Sequence, residues 1–493
     1  MTDPAMPQEK ELMSPQLERR EFIQLTLSTG AVFLGGLSLT PTGAFADTGW
    51  GKYPGLISPG CRKSKVKVAK LYIGKPKPHW PTPTLDLEKE VQAYEQEFKR
   101  LENEFADVEF VTDQLVSSVD DVKKIQAELD SADGILIIQL SIWTRELLDE
   151  ILARRKPTAV FAIPYSGHEW VGFGALQKKE AGELTEFFLT SDYDQLAVAI
   201  RPFRAIHHLR EAKILNVTAN ELQKEYVDAI QSRFGTEIVR VDRDRMLAAY
   251  EAVPDNDAHA EAKQWIERAV QVVEPDEDEI FRSCKLALAF QSLLDEEEAT
   301  VITVECYGSM YRKLPAFPCI GFTRLNDMGL AGICESDLRS AMTFILLQGL
   351  VGRPGFISDP TMDVSKNAAI LAHCLGTRRM DGPGGGLAPY KLRTIMERQE
   401  GAVPQVMMRV GEKVTQAILV DQAKLLYFTG TIIEVPDTER GCRTKITVQV
   451  DGDAEELWKN WTHGLHRVTC YGNIAQDLKR FCRYQKVECL QEV

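Results

Sequence analysis

Short runs of β-branched and aromatic residues alternate with charged helical stretches from Val66 onward, and this alternation constrains the fold more than any other feature of the chain. "VKVAKLYIG", "DVEFV", "GILIIQL" and "PTAVFAIP" read as strands. Leu87 to Leu101 and Val119 to Leu129 read as helices between them, and a further helix precedes the last strand. Strands separated by helices lie parallel in a sheet that the helices cover. A second unit of the same kind, from Ala212 to Cys306, carries "AKILNVTA", "TEIVRVD", "ATVITVE" and two or more acidic helices. The last third changes character: "PQVMMRVGEKVTQAILV", "KLLYFTGTIIEV" and "TKITVQV" are β-rich, and "HRVTCYG", a helix and "KVECL" close the chain. The expected class is α/β: two Rossmann-like α/β domains (66–210 and 211–375) followed by a β-rich C-terminal domain (376–493).

The start of the chain reads as a separate object. Arg19-Arg20, a moderately apolar stretch and the small-x-small sequence Ala44-Phe45-Ala46 are similar to a twin-arginine export signal over residues 1–46, although acidic residues surround the arginines. The apolar run is short and interrupted for a stable span, so the expectation is an exported, periplasmic protein with no membrane span once the signal is removed. Residues 47–65 lack periodicity and read as a linker. Ten cysteines spread without a regular framework read mostly as small buried residues, with one or two bridges open near Cys470, Cys482 and Cys489.

A net charge of −14 without a basic run excludes nucleic acid as the partner and leaves a small molecule. Neither α/β unit carries GxGxxG or a phosphate loop, so no nucleotide cofactor is indicated. The Gly-rich "DGPGGGLAPY" lacks the lysine and the setting of a phosphate loop and reads as a turn. His168, Glu169 and Trp170 follow a strand on the edge where α/β sheets place ligands, yet an ordinary loop accounts for them.

The stretch "CESDLRSAMTFILLQGLVGRPGFISD", Cys334 to Asp359, carries the chemistry. "MGLAGIC" reads as a strand, Ser336 as the cap of a helix loosened at its end by Gly349 and Gly352, and "PGFIS" as the next strand. A right-handed β-α-β crossover would bring Glu335 and Asp359 out on one sheet edge as neighbours. The following "KNAAILAHCLG" reads as a helix bearing His373, and "WTHGLHRVTCYG" adds His463 and His466. Eight histidines serve the whole chain, and carboxylates with imidazoles at one edge form a mixed O/N set suited to a divalent ion. Trp461 could present an apolar face to a sugar ring, and Glu305, ending "ATVITVE", could line the same crevice.

These two segments, over about residues 330–375 and 461–485, resemble the signature and tail of the L-fucose isomerase and L-arabinose isomerase family. The resemblance implies that Glu335, Asp359 and His466 bind a divalent metal, Mn2+ first. It matches His373 to a histidine of the arabinose branch, and it implies an aldose–ketose isomerisation through an enediol with Glu335 and Asp359 as acid–base groups. It also implies a homo-oligomer. An exported chain departs from the family's cytoplasmic habit. Two rivals therefore stay open, a non-catalytic exported carbohydrate-binding protein on the same scaffold and epimerase or lyase chemistry through the same enediolate.

Overall fold

A first parallel sheet forms from β1 (Val66–Ile73), β2 (Val108–Val116), β3 (Gly134–Gln139), β4 (Thr158–Ala162) and β5 (Thr185–Leu189), in the order β2-β1-β3-β4-β5. The computed structural model describes residues 53–493. The Arg19-Arg20 signal and its Ala44–Ala46 cleavage site lie outside the described residues. β1 and β3 are almost wholly buried, as expected of strands covered on both faces. The stretch 119–129, expected as one helix, is two short ones, Val119–Lys124 and Gln126–Ser131, broken at Ile125. β5 and the long helix Gln195–Glu211 extend the unit beyond the strands foreseen.

The second sheet uses β6 (Lys213–Val217), β7 (Glu237–Val241), β9 (Val301–Val304) and β10 (Ala331–Cys334), all parallel, in the order β10-β9-β6-β7. The short β8 (Gln271–Val272) instead joins β13 (Tyr390–Arg393) and β14 (Val403–Val406) in a small three-stranded sheet. The third large sheet contains β11 (Phe356–Asp363), β12 (Ala368–His373), β15 (Lys413–Leu419), β16 (Lys424–Glu434), β17 (Thr444–Val450), β18 (Arg467–Tyr471) and β19 (Glu488–Gln491). Its order β15-β18-β11-β12-β17-β16 closes on itself because β15 also pairs with β16. An antiparallel barrel results, which leaves no free edge in that ring; β19 adds parallel to β16 outside it.

Two expectations give way here. Residues 368–373 form strand β12, not a helix: β12 lies between β11 and β17, and full pairing on both sides outweighs the helix propensity of an Ala- and Leu-rich run. β11 does not return parallel to β10 but runs antiparallel in the barrel. The reason lies in the helix Leu338–Val351, whose residues from Ser340 to Leu350 are all buried. A helix apolar on every side sits between layers rather than on one face of a sheet. It packs with Ile214, Val301 and Ile333 of the second sheet and with Ile357, Ala417 and Val468 of the barrel.

Gly349 does not loosen that helix. A Cβ there would come 2.7 Å from Ala205 Cα, so its absence lets the helix touch Gln195–Glu211 backbone to backbone. Gly352 ends the helix in a left-handed cap with φ 65°. The stretch read as a linker is packed from Tyr53 on, with Tyr53, Leu56 and Cys61 buried. All ten cysteines are free thiols, Cys470, Cys482 and Cys489 included. Among the described residues no helix is long and apolar enough to cross a membrane.

Candidate active site

After β10 the chain turns through two residues with left-handed backbone angles, φ 63° at Glu335 and 56° at Ser336. Each such angle on a non-glycine residue costs roughly 1–3 kcal/mol and persists where the surroundings enforce it. Here the Ser336 hydroxyl donates to Asn216 Oδ1 at 2.6 Å, tying the turn to β6. Asp337, not Ser336, caps the helix: it accepts from the backbone N–H of Arg339 at 3.0 Å and of Ser340 at 3.1 Å. Left-handed at its backbone and committed to Asn216, Ser336 has no reach to that role.

The barrel supplies the opposite wall. Ser358 of β11 faces Arg467 of β18, so one step further brings Asp359 alongside His466. On its other side Asp359 faces Ala372, and β12 ends one residue later at His373. His466 Nε2 consequently lies 3.2 Å from Asp359 Oδ1 and 3.9 Å from Glu335 Oε2. Glu335, His373 and His466 each offer one ligand atom, and these atoms all fall within 4.8 Å of one another. The structure brings the four residues together, but through the meeting of two sheets rather than through one β-α-β unit.

Several polar atoms at this meeting point make no hydrogen bond, although His466 Nε2 and Asp359 Oδ1 face each other as an ion pair. Asp359 Oδ1, His466 Nε2 and both ring nitrogens of His373 are buried without a hydrogen bond. A buried polar group left unsatisfied costs about 1–3 kcal/mol, so several converging on one space mark a place built for something else to satisfy them. His466 Nδ1 lies 3.1 Å from Asp337 Oδ2, a contact that orients the ring so that Nε2 faces the carboxylates. Burial, reinforced by the His466 charge, pushes His373 down to about 3, so it stays neutral and able to ligate. Burial also raises Glu335 and Asp359, and the Glu397 carboxylate pushes both further up against the opposing pull of His466. Glu335, Asp359, His373 and His466 are thus the residues that could hold a divalent ion.

A cavity of about 470 Å³ opens beside this cluster, with His466, Asp337, Asn216, Tyr226, Arg339 and Glu305 on its walls. Glu305 holds its place there as a fixed anion: Asn220 Nδ2 lies 3.0 Å from each of its oxygens, and the Thr218 and Ser309 hydroxyls donate to it. Burial would raise its pKa, but these donors lower it overall. Trp461 is placed differently. Its indole N–H donates to Gly464 O at 3.1 Å and the Arg467 guanidinium lies 4.3 Å over its ring, so it shapes the loop that carries His466. His463 lines the cavity. At the edge of the first sheet, Glu169 accepts from Gln139 Nε2 at 3.0 Å and from Trp143 N, and the His168 ring packs tilted against Trp80, centroids 4.4 Å apart.

Residue-by-residue reading left out two participants. Asp337 caps the helix, and its second oxygen lies 3.1 Å from His466 Nδ1. Glu397, whose carboxylate raises Glu335 and Asp359, comes from a loop remote in sequence, and nothing in "MERQE" signals its approach.

No family model matches the chain. It is 24 % identical over 316 residues to a protein named sulfoquinovose isomerase from Alkalicoccus urumqiensis, covering 60 % of this chain and 70 % of that one. Both relatives are sugar isomerases by name. The other, a sulfoquinovose isomerase from Clostridium sp. (strain MSTE9), is 25 % identical over 208 residues, 39 % of this chain and 44 % of the relative, less than half its length. Both similarities are at low identity, 24 % and 25 %.

Proposed function

We propose that the protein is a metal-dependent intramolecular oxidoreductase that interconverts an aldose and a ketose, with Glu335, Asp359 and His466 as ligands of a divalent ion such as Mn2+ and His373 beside them. The observation that carries this reading is the meeting of Glu335, Asp359, His373 and His466, with both His373 nitrogens buried without a hydrogen bond, beside a sugar-sized cavity that His466 lines. The donor set of carboxylate oxygens and imidazoles fits manganese or a similar ion. When bound, such an ion polarises the sugar carbonyl and stabilises charge that develops on its oxygens.

The chain's own residues do the rest. Glu335 is poised as the base that takes the C2 proton and returns it at C1, because its carboxylate accepts no hydrogen bond among the described residues and burial raises its proton affinity. Asp337 fixes the orientation of His466 through Nδ1. Glu305 and Asn220 present oxygens and an amide to sugar hydroxyls along the cavity. Arg339, on the same wall and without an ion pair among the described residues, offers a partner to an anionic sugar substituent. Sulfoquinovose, in the names of both relatives, is therefore the first substrate to try.

The test is NMR in D2O with Mn2+ and a panel of sulfoquinovose, L-fucose and L-arabinose, run beside Glu335→Gln. Ketose formation with deuterium entering next to the carbonyl, abolished by the substitution, is the expected result. Exchange without ketose would indicate epimerase or lyase chemistry. Binding without any exchange, with metal in place, would make the protein a carbohydrate binder.

A further inference from the structure

A second cluster with ligand chemistry lies outside the Glu335 site, where the segment 53–65 crosses the end of the helix Gln195–Glu211. His207 and Glu211 stand one turn apart on that helix, so their side chains share a face. Cys61, 2 % exposed, projects onto the same face from a tight turn closed by the bridge between Ser58 and Cys61. Cys61 Sγ, one His207 ring nitrogen and one Glu211 oxygen all fall within 4.8 Å of one another.

The spacing is narrower than that bound requires. His207 Nε2 lies 3.4 Å from Glu211 Oε2, and Cys61 Sγ lies 3.5 Å from the same oxygen. Zinc held tetrahedrally, with bonds of about 2.3 Å to sulfur, about 2.0–2.1 Å to imidazole nitrogen and about 2.0–2.2 Å to a carboxylate oxygen, sets N···O edges of about 3.4 Å and S···O edges of about 3.6 Å. The N···O and S···O separations are close to those edges, and the S···N separation falls within the 4.8 Å bound. The Ser64 hydroxyl, 3.4 Å from Nε2 and donating to the other Glu211 oxygen, is a fourth donor within reach.

The outer contacts divide: Cys61 Sγ lies 3.2 Å from Ser64 O, which accepts the thiol proton that zinc would displace. His207 Nδ1 lies 2.9 Å from Asp133 Oδ2, the carboxylate contact that turns the Nε2 lone pair inward in zinc-bound histidines. Asp133 is itself fixed by Lys67 N–H at 2.9 Å and by the Arg210 guanidinium, whose Nη2 also lies 2.8 Å from Nδ1. An imidazolium would meet the same neighbours with its Nε2 proton, pointing at Ser64 O at 3.0 Å or at Glu211, where the ion would sit.

We infer that Cys61, His207 and Glu211 bind a zinc ion that pins the segment 53–65 to the helix Gln195–Glu211, as a structural site separate from the proposed sugar-isomerase centre. A thiolate with an imidazole and a carboxylate selects zinc or cobalt over manganese, which separates this site chemically from the carboxylate–imidazole cluster at Glu335.

Thiolate ligation gives the test a signature of its own. The full chain is loaded with Co2+ and examined for thiolate-to-cobalt charge-transfer absorption, and zinc is counted by mass spectrometry of the purified protein. In the wild type, one equivalent of zinc and a charge-transfer band are expected. Cys61→Ser removes the band, His207→Gln removes the bound equivalent, and Glu335→Gln keeps both. Absence of the band in wild type, its persistence in Cys61→Ser, or its loss in Glu335→Gln would overturn the inference. Should Cys61→Ser fail to fold, loss of the band in His207→Gln with its retention in Glu335→Gln supports the inference, and its persistence in His207→Gln overturns it.

Discussion

Glu169 and Glu335 follow strands of the two parallel sheets on the edge that commonly binds ligands, and they meet opposite fates. Glu169 is fully used: Gln139 and the Trp143 backbone donate to it, and the helix Trp170–Gln177 starts on it. Glu335 accepts no hydrogen bond among the described residues, sits on a strained turn, and faces His466 at 3.9 Å. A position at a strand's carboxyl end therefore does not make a carboxylate functional. What separates the two is the supply of donors around them, and the edge of the second sheet is met by the barrel, which brings further acceptors and imidazoles instead of donors.

The largest contrast is expected in turnover. Glu335→Gln should lower the isomerase rate by about 10³-fold while leaving the fold intact, in the range that removal of a general base produces; Glu169→Gln should leave the rate within about twofold. Equal losses from both substitutions would break the comparison. A third carboxylate, Asp107, extends the satisfied class: Arg204 holds both its oxygens, at 2.7 and 2.8 Å, with both side chains largely buried. Burial alone would raise the Asp107 pKa, yet Arg204 outweighs it and the net shift is below 3.8. A depressed folded pKa means stability that is present above the unfolded value and lost as pH falls through the folded one. Asp107→Asn should cost about 3 kcal/mol at pH 7, as breaking one partner of a buried pair does, and the gap should close from about pH 4 downward in chemical denaturation at each pH. A pH-independent gap would mean that packing, not charge, holds the pair.

Asp337→Asn tests the borderline case, a carboxylate shared between a helix cap and His466. It should weaken manganese binding by about 10–100-fold, as loss of an orienting partner does, measured by titration calorimetry, with helix content unchanged. The smallest effect belongs to Glu169→Gln itself, which should cost about 1 kcal/mol in thermal unfolding through its lost charge-assisted hydrogen bonds.

Much of this was legible residue by residue. β1, β3, β6 and β9 announce themselves as short apolar runs, and the resemblance carried by the two motif segments groups Glu335, Asp359 and His466. Two signals were present and misread. The helix Leu338–Val351 is apolar on every side, which means burial between two layers and rules out a simple return to the same sheet. "DVSKN" marks a turn at 363–367, with Asn367 left-handed at φ 51°, and so marks a hairpin from β11 into β12 where a helix was expected.

The sequence by itself determined the local elements and the residue types of the site, because strand and helix patterns and the short list of metal-binding side chains are properties of the chain. The tertiary structure alone decided that Asp359, His373 and His466 belong to a closed barrel, and that the barrel's end meets the second sheet at Glu335. It also decided which carboxylates are satisfied. Hydrogen-bond donors such as Gln139, Asn220 and Arg204 lie between 30 and 97 residues from the acids they hold, and distance along the chain carries no information about which of them will arrive.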